Sequence, residues 1–279
     1  MLYIVATPIG NLKDITLRAL ETLKECDYIL CEDTRKSSVL LRHYSINKPL
    51  FSYHKFNERA RLEKTLEDLH SDKKIALISD AGTPTISDPG MILIQSCIEK
   101  NIRVEAIPGV SAAITALSCS GIIADKFQFL GFLSRKNGEL KKQLSSAIQY
   151  DGITVFYESP HRLTKSLEIL SENFPKTEIT VCRELTKKFE EVLKCTAEEQ
   201  LLYWRSKTIK GEITVLISPS STIPESQMNV EEALEEIKKL ASEGLKIKAA
   251  VKIVAQQTDL NSSELYRKYH NHHNNDPTS

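Results

Sequence analysis

Short apolar runs alternate along most of the chain with longer stretches whose apolar residues recur at helical spacing. No other feature restricts the fold as much. The runs read as strands at Leu2–Ala6, Tyr28–Cys31, Ile75–Ser79, Arg103–Ile107, Phe127–Phe132, Ile153–Tyr157, Glu178–Arg183, Glu190–Lys194 and Glu212–Ser218. Amphipathic stretches such as Ile15–Lys24 (with Asp14 as its expected N-cap), Asn57–His70, Glu139–Tyr150 and His161–Asn173 lie between them. Strands that alternate with helices predict an α/β fold with largely parallel sheets. The segment SCSGIIADK, Ser118–Lys126, interrupts the pattern and predicts two α/β domains, 1–118 and 119–218. Two closely spaced strands at the end of the second predict an antiparallel portion there.

After Ile217 the pattern changes. The Ser/Pro stretch SPSSTIPESQ has no apolar period, and Pro219–Gln227 reads as a mobile linker. All that follows is helical. Asn229 with Glu232 reads as a capping box for a helix over Val230–Ala241, and Gly244 as its terminator. Leu245–Gln257 forms a second helix, and Asn261 with Glu264 caps a third. Three short helices within 228–272 predict a small helix-turn-helix-like segment. The closing NHHNNDPTS is expected to fray, with His270, His272 and His273 as polar surface rather than metal ligands.

Charge and cysteine usage exclude several function classes. Lys+Arg and Asp+Glu are both 37, so the formal net charge is zero, and any nucleic-acid contact must use a local cationic patch. The six cysteines are scattered without a C-x-x-C pair, which fits a reducing cytoplasm and neither a disulfide framework nor a zinc cluster. No apolar run is long enough to span a membrane. Among the ten glycines there is no G-x-G and no P-loop, and G-x-S-x-G and H-E-x-x-H are absent too. Dinucleotide, P-loop, serine-hydrolase and zinc-protease chemistry therefore have no anchor.

Three strands end in turns rich in Gly, Pro and small residues: ATPIGN after the first, SDAGTPTISDPG after the Ile75 strand and IPGVSA after the Arg103 strand. Strand-to-helix loops at the carboxyl edge of a sheet are where open α/β folds bind ligands. Gly82 lets the backbone approach a ligand, Pro84 and Pro89 stiffen the loop, and Asp80 offers hydrogen-bond acceptors. Ser111 could equally cap a helix. A second group, CEDTRKS, SYHKFNE, YESPHR and CRELTKKFEE, brings mixed charges to strand ends and predicts a polar cleft. For any one of these residues an exposed ion pair is the commoner role.

Taken in order, ATPIGN, CEDTR, SYHKFNE, SDAGTPTISDPG, IPGVSA, YESPHR and RELTK resemble the ribosomal RNA small-subunit methyltransferase I family. That family is of the tetrapyrrole-methylase type and methylates the ribose 2′-oxygen of a decoding-centre cytidine. The chain departs from the family pattern at Ser134 in GFLSRKNG, where Pro is usual, and at Thr85, where Leu is common. The resemblance implies two α/β domains of the tetrapyrrole-methylase type, a small C-terminal three-helix segment, a homodimer and a cytoplasmic location. It implies S-adenosyl-L-methionine in the cleft between the domains, lined by Pro8, Asp80, Ala81, Gly82, Thr83, Ser111, Ala112, Tyr157, Gly211 and Glu212. No metal is expected, and the partner is small-subunit ribosomal RNA or the assembled subunit.

A ribose hydroxyl is a weak nucleophile, so a base or nearby cation should assist its methylation. Glu32, Asp33, Glu58, Glu158 and Glu184 are candidate bases, and the residue pattern does not rank them. Arg35, Glu158, Arg162 and Glu184 are favoured for catalysis, with Arg183 and Lys187 for RNA, since guanidinium and ammonium groups suit phosphate oxygens. The rival readings are methylation of a tetrapyrrole or another small molecule, and a non-catalytic module that binds cofactor or RNA.

Overall fold

Strands β1 (Leu2–Val5), β2 (Tyr28–Cys31) and β4 (Ile75–Ile78) carry almost unbroken apolar residues, so both of their faces must be buried. The chain meets this with α1 (Leu17–Glu25), α2 (Thr34–His43), α3 (Glu58–His70), α4 (Met91–Glu99) and α5 (Ala112–Cys119). With β3 (Leu50–Ser52) and β5 (Val104–Ile107) the strands form an all-parallel sheet of order β3-β2-β4-β1-β5. Alternate residues enter opposite cores: Leu2, Ile4, Ile75 and Leu77 pack with Leu66 and Leu93, while Val5, Ala76 and Ile78 pack with Leu23 and Leu41. The computed structural model describes residues 1–219, 230–242, 245–257 and 261–273.

The second sheet joins β6 (Phe127–Phe132), β7 (Ile153–Glu158), β8 (Glu178–Arg183), β9 (Glu191–Thr196) and β10 (Ile213–Ile217) in the order β6-β7-β10-β8-β9. Only β6–β7 is parallel, so the antiparallel portion is larger than the sequence suggests. Helices α6 (Asn137–Gln149), α7 (Pro160–Asn173) and α8 (Ala197–Arg205) cover one face around Trp204 and Phe156. The other face, through Val155, Cys182 and Leu216, packs against Ala113 and Ala116 of α5 and against Ile9 after β1. That shared core makes Met1–Ser220 one compact unit.

Several expectations need correction. Thr16, not Asp14, caps α1, its hydroxyl accepting from the Ala19 N–H at 3.1 Å. The short edge strand β3 is absent from the sequence reading, because three residues with Phe51 exposed give no apolar run.

A second compact unit lies within Ser221–Ser279. Its helices α9 (Val230–Ser242), α10 (Ile247–Gln257) and α11 (Ser262–His273) enclose Leu234, Ile237, Val251, Val254 and Leu265. Asn261 caps α11 through the N–H groups of Ser263 and Glu264, at 2.9 and 3.2 Å. Helix α11 continues three residues into the tail expected to fray. Asn229, Gly244 and the linker beyond Pro219 lie outside the described residues. Lys246, Lys248 and Lys252 are exposed. No helix among the described residues is long and apolar enough to cross a membrane.

Candidate active site

The strand order places β4, β1 and β5 side by side, so their three carboxyl-terminal turns meet at one sheet edge. Hydrogen bonds stitch the turns together. The Thr7 N–H donates to the Gly82 carbonyl and the Gly82 N–H to the Thr7 carbonyl, both at 2.9 Å. The Thr7 hydroxyl donates to the Ser79 carbonyl at 3.1 Å, and the Thr83 hydroxyl to the Val110 carbonyl at 3.1 Å. Gly82 has φ +80°, a conformation costly for a residue with a Cβ. Gly109 lies so close to the first turn that a Cβ there would come within 2.8 Å of the Ala6 Cβ.

The opposite wall comes from the second sheet. Thr214 on β10 is in register with Tyr157 on β7 and Cys182 on β8, so all three side chains share the face toward the first sheet. Their neighbours Glu158, Ile213 and Arg183 are also in register and project from the other face. Phe129 and Phe132 meet Tyr157 edge-on, at centroid distances of 4.9 and 5.6 Å.

Between the walls lies a cleft of about 360 Å³, inside the range of about 300–1,000 Å³ common for small-molecule sites. It gathers Asp80, Ala81, Gly82, Thr83, Ser111, Ala112, Tyr157, Gly211 and Glu212. Pro8 does not line it; the next residue, Ile9, does. Ile86, Ser87, Asp88, Phe132, Cys182, Leu185 and Thr214 also line it and were not singled out from the sequence as site residues. Asp88 sits within a motif the sequence does flag. Cys182 and Thr214 become visible only once strand register is known.

The favoured catalytic residues are dispersed. Glu158 contributes to the cleft wall, but its side chain is fully buried toward α7. There it accepts from the Ser166 hydroxyl at 2.7 Å and from the Ser159 N–H at 2.8 Å. Arg162 lies 3.5 Å from that carboxylate and donates to the carbonyls of Leu133 and Ser134 at 3.1 and 2.8 Å. Ser134, in place of the family's Pro, gives its hydroxyl to Glu139 at 2.7 Å and takes a hydrogen bond from the Lys136 N–H. Thr85, where Leu is common, adopts φ +71°.

Arg35 is exposed and paired with Asp33 at 2.7 Å, in an open hollow of about 450 Å³ that shares Asp80 with the cleft. That pairing holds the Asp33 carboxyl well below the usual carboxylate range. Glu32, His54, Lys55 and Phe56 line the same hollow.

Glu184, at φ +53°, accepts from Lys187 at 2.8 Å and from the Glu212 N–H at 3.0 Å. Burial works against ionisation of Glu184, yet these donors and the nearby cations keep its carboxyl below the ordinary value. Lys187 also pairs with Glu212 at 3.0 Å and passes over Gly10, where a Cβ would come within 2.3 Å of the lysine Cγ. Arg183 pairs with Glu191 at 3.1 Å. Gly211, at φ +93°, is tightly constrained, since a Cβ there would fall 2.4 Å from the Glu184 carboxylate.

The two-sheet arrangement is that of a known methylase class. The family model for Tetrapyrrole (Corrin/Porphyrin) Methylases matches residues 1–200. A diphthine synthase of 14% identity superimposes with a TM-score of 0.63, covering 78% of this chain and 89% of the other. A Thermus thermophilus uroporphyrin-III C-methyltransferase solved with S-adenyl homocysteine, 16% identical, gives 0.54 over 77% of this chain and 96% of its own. Sequence kinship is narrower. Proteins named ribosomal RNA small subunit methyltransferase I from Haemophilus influenzae and Bacillus subtilis are 43% and 40% identical. They cover 96% and 97% of this chain and 95% and 94% of their own lengths. The chain belongs to the ribosomal RNA small subunit methyltransferase I family, within the tetrapyrrole-methylase class.

Proposed function

We propose that this chain methylates RNA of the small ribosomal subunit with S-adenosyl-L-methionine, at the ribose 2′-oxygen of a decoding-centre cytidine. The observation that carries the reading is the convergence of the strand-end motifs on one cleft, in a chain whose relatives are named for that RNA. When bound, S-adenosylmethionine supplies an electrophilic methyl group on a sulfonium centre. The cleft suits such a ligand. Gly82 leaves backbone bare, Ile9, Tyr157 and Leu185 offer apolar surface for a purine, and Asp80 and Glu212 bring carboxylates to a cationic molecule. Asp80–Thr83 and Ser111–Ala112 would hold it from one side, and Tyr157 with Gly211–Glu212 from the other.

The chain's part is then alignment and proton handling. We assign Glu158 and Arg162 to positioning: their mutual contact and the two carbonyl bonds fix the segment after Phe132. Glu184 positions Lys187 and the Gly211–Glu212 turn. We assign Arg35, exposed in the adjoining hollow, to contact with the RNA. Methyl transfer from a sulfonium needs no Lewis acid, and no three His, Cys, Asp or Glu side chains among the described residues are grouped to hold a metal. A chelator should therefore leave the rate unchanged. We further propose two α/β domains, 1–118 and 119–218, with a helical segment over 228–272. A homodimer and a cytoplasmic location complete the reading, supported by exposed apolar side chains such as Ile123 and Phe127 and by six unpaired cysteines.

Labelled methyl transfer measured side by side on small-subunit RNA, assembled subunits and a uroporphyrinogen tests the reading. Incorporation into RNA or particles is expected; incorporation into the tetrapyrrole alone would overturn it.

Two further outcomes bear on how RNA is held. Lys187→Ala should weaken RNA binding and flatten the plot of log affinity against log salt by at most about 0.7, the value for one phosphate contact on a single strand. Its ion pairs with Glu184 and Glu212 already neutralise part of its charge, so the change should fall below that ceiling. An unchanged slope in a salt titration removes Lys187 from the RNA surface. Deleting Met228–Ser279 should leave cofactor binding intact, because every described residue lining the cleft precedes Ser220. It should raise the KM for RNA, with the exposed Lys248 and Lys252 of α10 as part of the lost surface. Calorimetry with cofactor and steady-state kinetics with RNA check the two halves; full activity at limiting RNA would refute the second.

A further inference from the structure

The residue pattern leaves the carboxylates unranked, and the geometry ranks them. Asp80 accepts from the Asp33 N–H at 3.0 Å and from Lys36 at 2.8 Å. Glu212 is paired with Lys187, and Glu158 is turned to the far face of its sheet and holds Ser166 and Ser159. Asp88 is the remaining carboxylate lining the cleft, and it has no hydrogen bond and no ion pair among the described residues. Its loop is held in an unusual conformation, with Thr85, Ser87 and Gly90 all at positive φ. At Gly90 a Cβ would lie 2.5 Å from Leu77 in the core, so the loop's close approach to the sheet there requires glycine.

We propose that Asp88 is the general base of the methyl transfer, an assignment that rests on the RNA methyltransferase reading above. The ribose hydroxyl oxygen forms a bond to the methyl carbon as the carbon–sulfur bond breaks, its electron pair passing to sulfur. The hydroxyl proton moves to an Asp88 carboxylate oxygen and from there to water. Charge balances: a sulfonium cation and a carboxylate become a neutral thioether and a carboxylic acid, which ionises again in solvent.

The surroundings suit that task. Burial first, then the charges of Glu32 after β2 and Asp80 after β4, push the Asp88 carboxyl up to about 6, while Lys55 after β3 pulls the other way. Tyr157 faces it from β7, its own phenol pushed up mainly by burial. A base with a pKa close to the operating pH combines availability with proton affinity. The folded chain holds this proton up to about pH 6, whereas an unfolded chain releases it near ~4. Ionisation therefore costs stability as pH rises through that window, and the cost is fully present above it. Asp88→Asn removes the cost, so the variant should melt higher than wild type at pH 8 and not at pH 4. A residue kept for structure alone would not gain stability on replacement.

The test is single-turnover methyl transfer to small-subunit RNA from pH 5 to 9, with calorimetric cofactor affinity and thermal unfolding for each variant. The wild-type rate should climb tenfold per pH unit at low pH and level off above a midpoint near pH 6. Asp88→Asn should lose about a hundredfold or more, keep cofactor affinity within about twofold and lose the midpoint. Asp88→Glu should restore part of the rate together with a midpoint. Glu32→Gln should move the midpoint downward, since it removes a charge that raises it. An Asp88→Asn enzyme within threefold of wild type with the same midpoint overturns the assignment, as does a loss of rate explained by lost cofactor affinity. If the wild-type chain transfers no methyl group to any RNA, the functional reading itself fails, and the assignment with it.

Discussion

Gly82→Val is expected to weaken S-adenosylmethionine binding about a hundredfold while the protein stays folded. Gly82 combines φ +80° with a position on the cleft wall. A single Cβ would make only ordinary contacts there, 3.4 Å from Ile9 and 3.6 Å from the Val110 carbonyl. Gly82→Ala should thus suffer mainly the backbone penalty of about 1–3 kcal/mol. The two extra methyls of valine must enter the cleft beside Ile9 or push the loop off the Thr7 bridge, and either move removes part of the proposed cofactor wall. Calorimetry separates the cases: a clear gap in affinity between Ala and Val marks steric exclusion. Unchanged affinity in folded Gly82→Val would remove this loop from the cofactor site.

The second large effect concerns Arg162. Its guanidinium joins the carbonyls of Leu133 and Ser134 to the fully buried Glu158. Arg162→Ala leaves two carbonyls short of a donor and a buried carboxylate without its cation, and breaking a buried pair from one side costs about 3–5 kcal/mol. Arg162 retains 21% side-chain exposure, so a loss near the lower end, about 3 kcal/mol, is expected from urea unfolding. Arg162→Lys should recover only part, because an ammonium cannot reproduce the planar fork that reaches both carbonyls while facing the carboxylate. Catalysis should fall as well, since the tethered segment follows Phe132 on the cleft wall. A loss below about 1 kcal/mol, the ceiling for exposed pairs, would show that the contact is superficial.

The two cases mark what the sequence reveals and what it withholds. The Gly82 loop is legible because glycine and proline density at a strand end has a local physical meaning, and the strand order then brings ATPIGN, SDAGTP and IPGVSA together. Arg162 and Glu158 are legible as polar residues at a strand end but not in role. Which face of β7 Glu158 occupies is fixed by its pairing with Ile213 on β10, some fifty-five residues away. The same register places Cys182, Tyr157 and Thr214 on the cleft side, which no local pattern announces. Asp88 lies in a motif that attracts notice, but its significance depends on the partners that every other cleft carboxylate has acquired. The extent of antiparallel pairing in the second sheet, beyond the portion its closely spaced last strands predict, and the three-residue strand β3 depend on tertiary pairing too, and short runs carry too little periodicity to announce either.

We propose that the inter-sheet cleft directs a methyl group to a ribose of small-subunit RNA. Nucleoside mass spectrometry tests it most directly, on small subunits that lack the modification and are incubated with the chain and isotope-labelled S-adenosylmethionine. Label is expected in 2′-O-methylcytidine from one position of the decoding centre, with Asp88→Asn reducing it about a hundredfold. Label in a base-methylated nucleoside, or in no nucleoside at all, would contradict it.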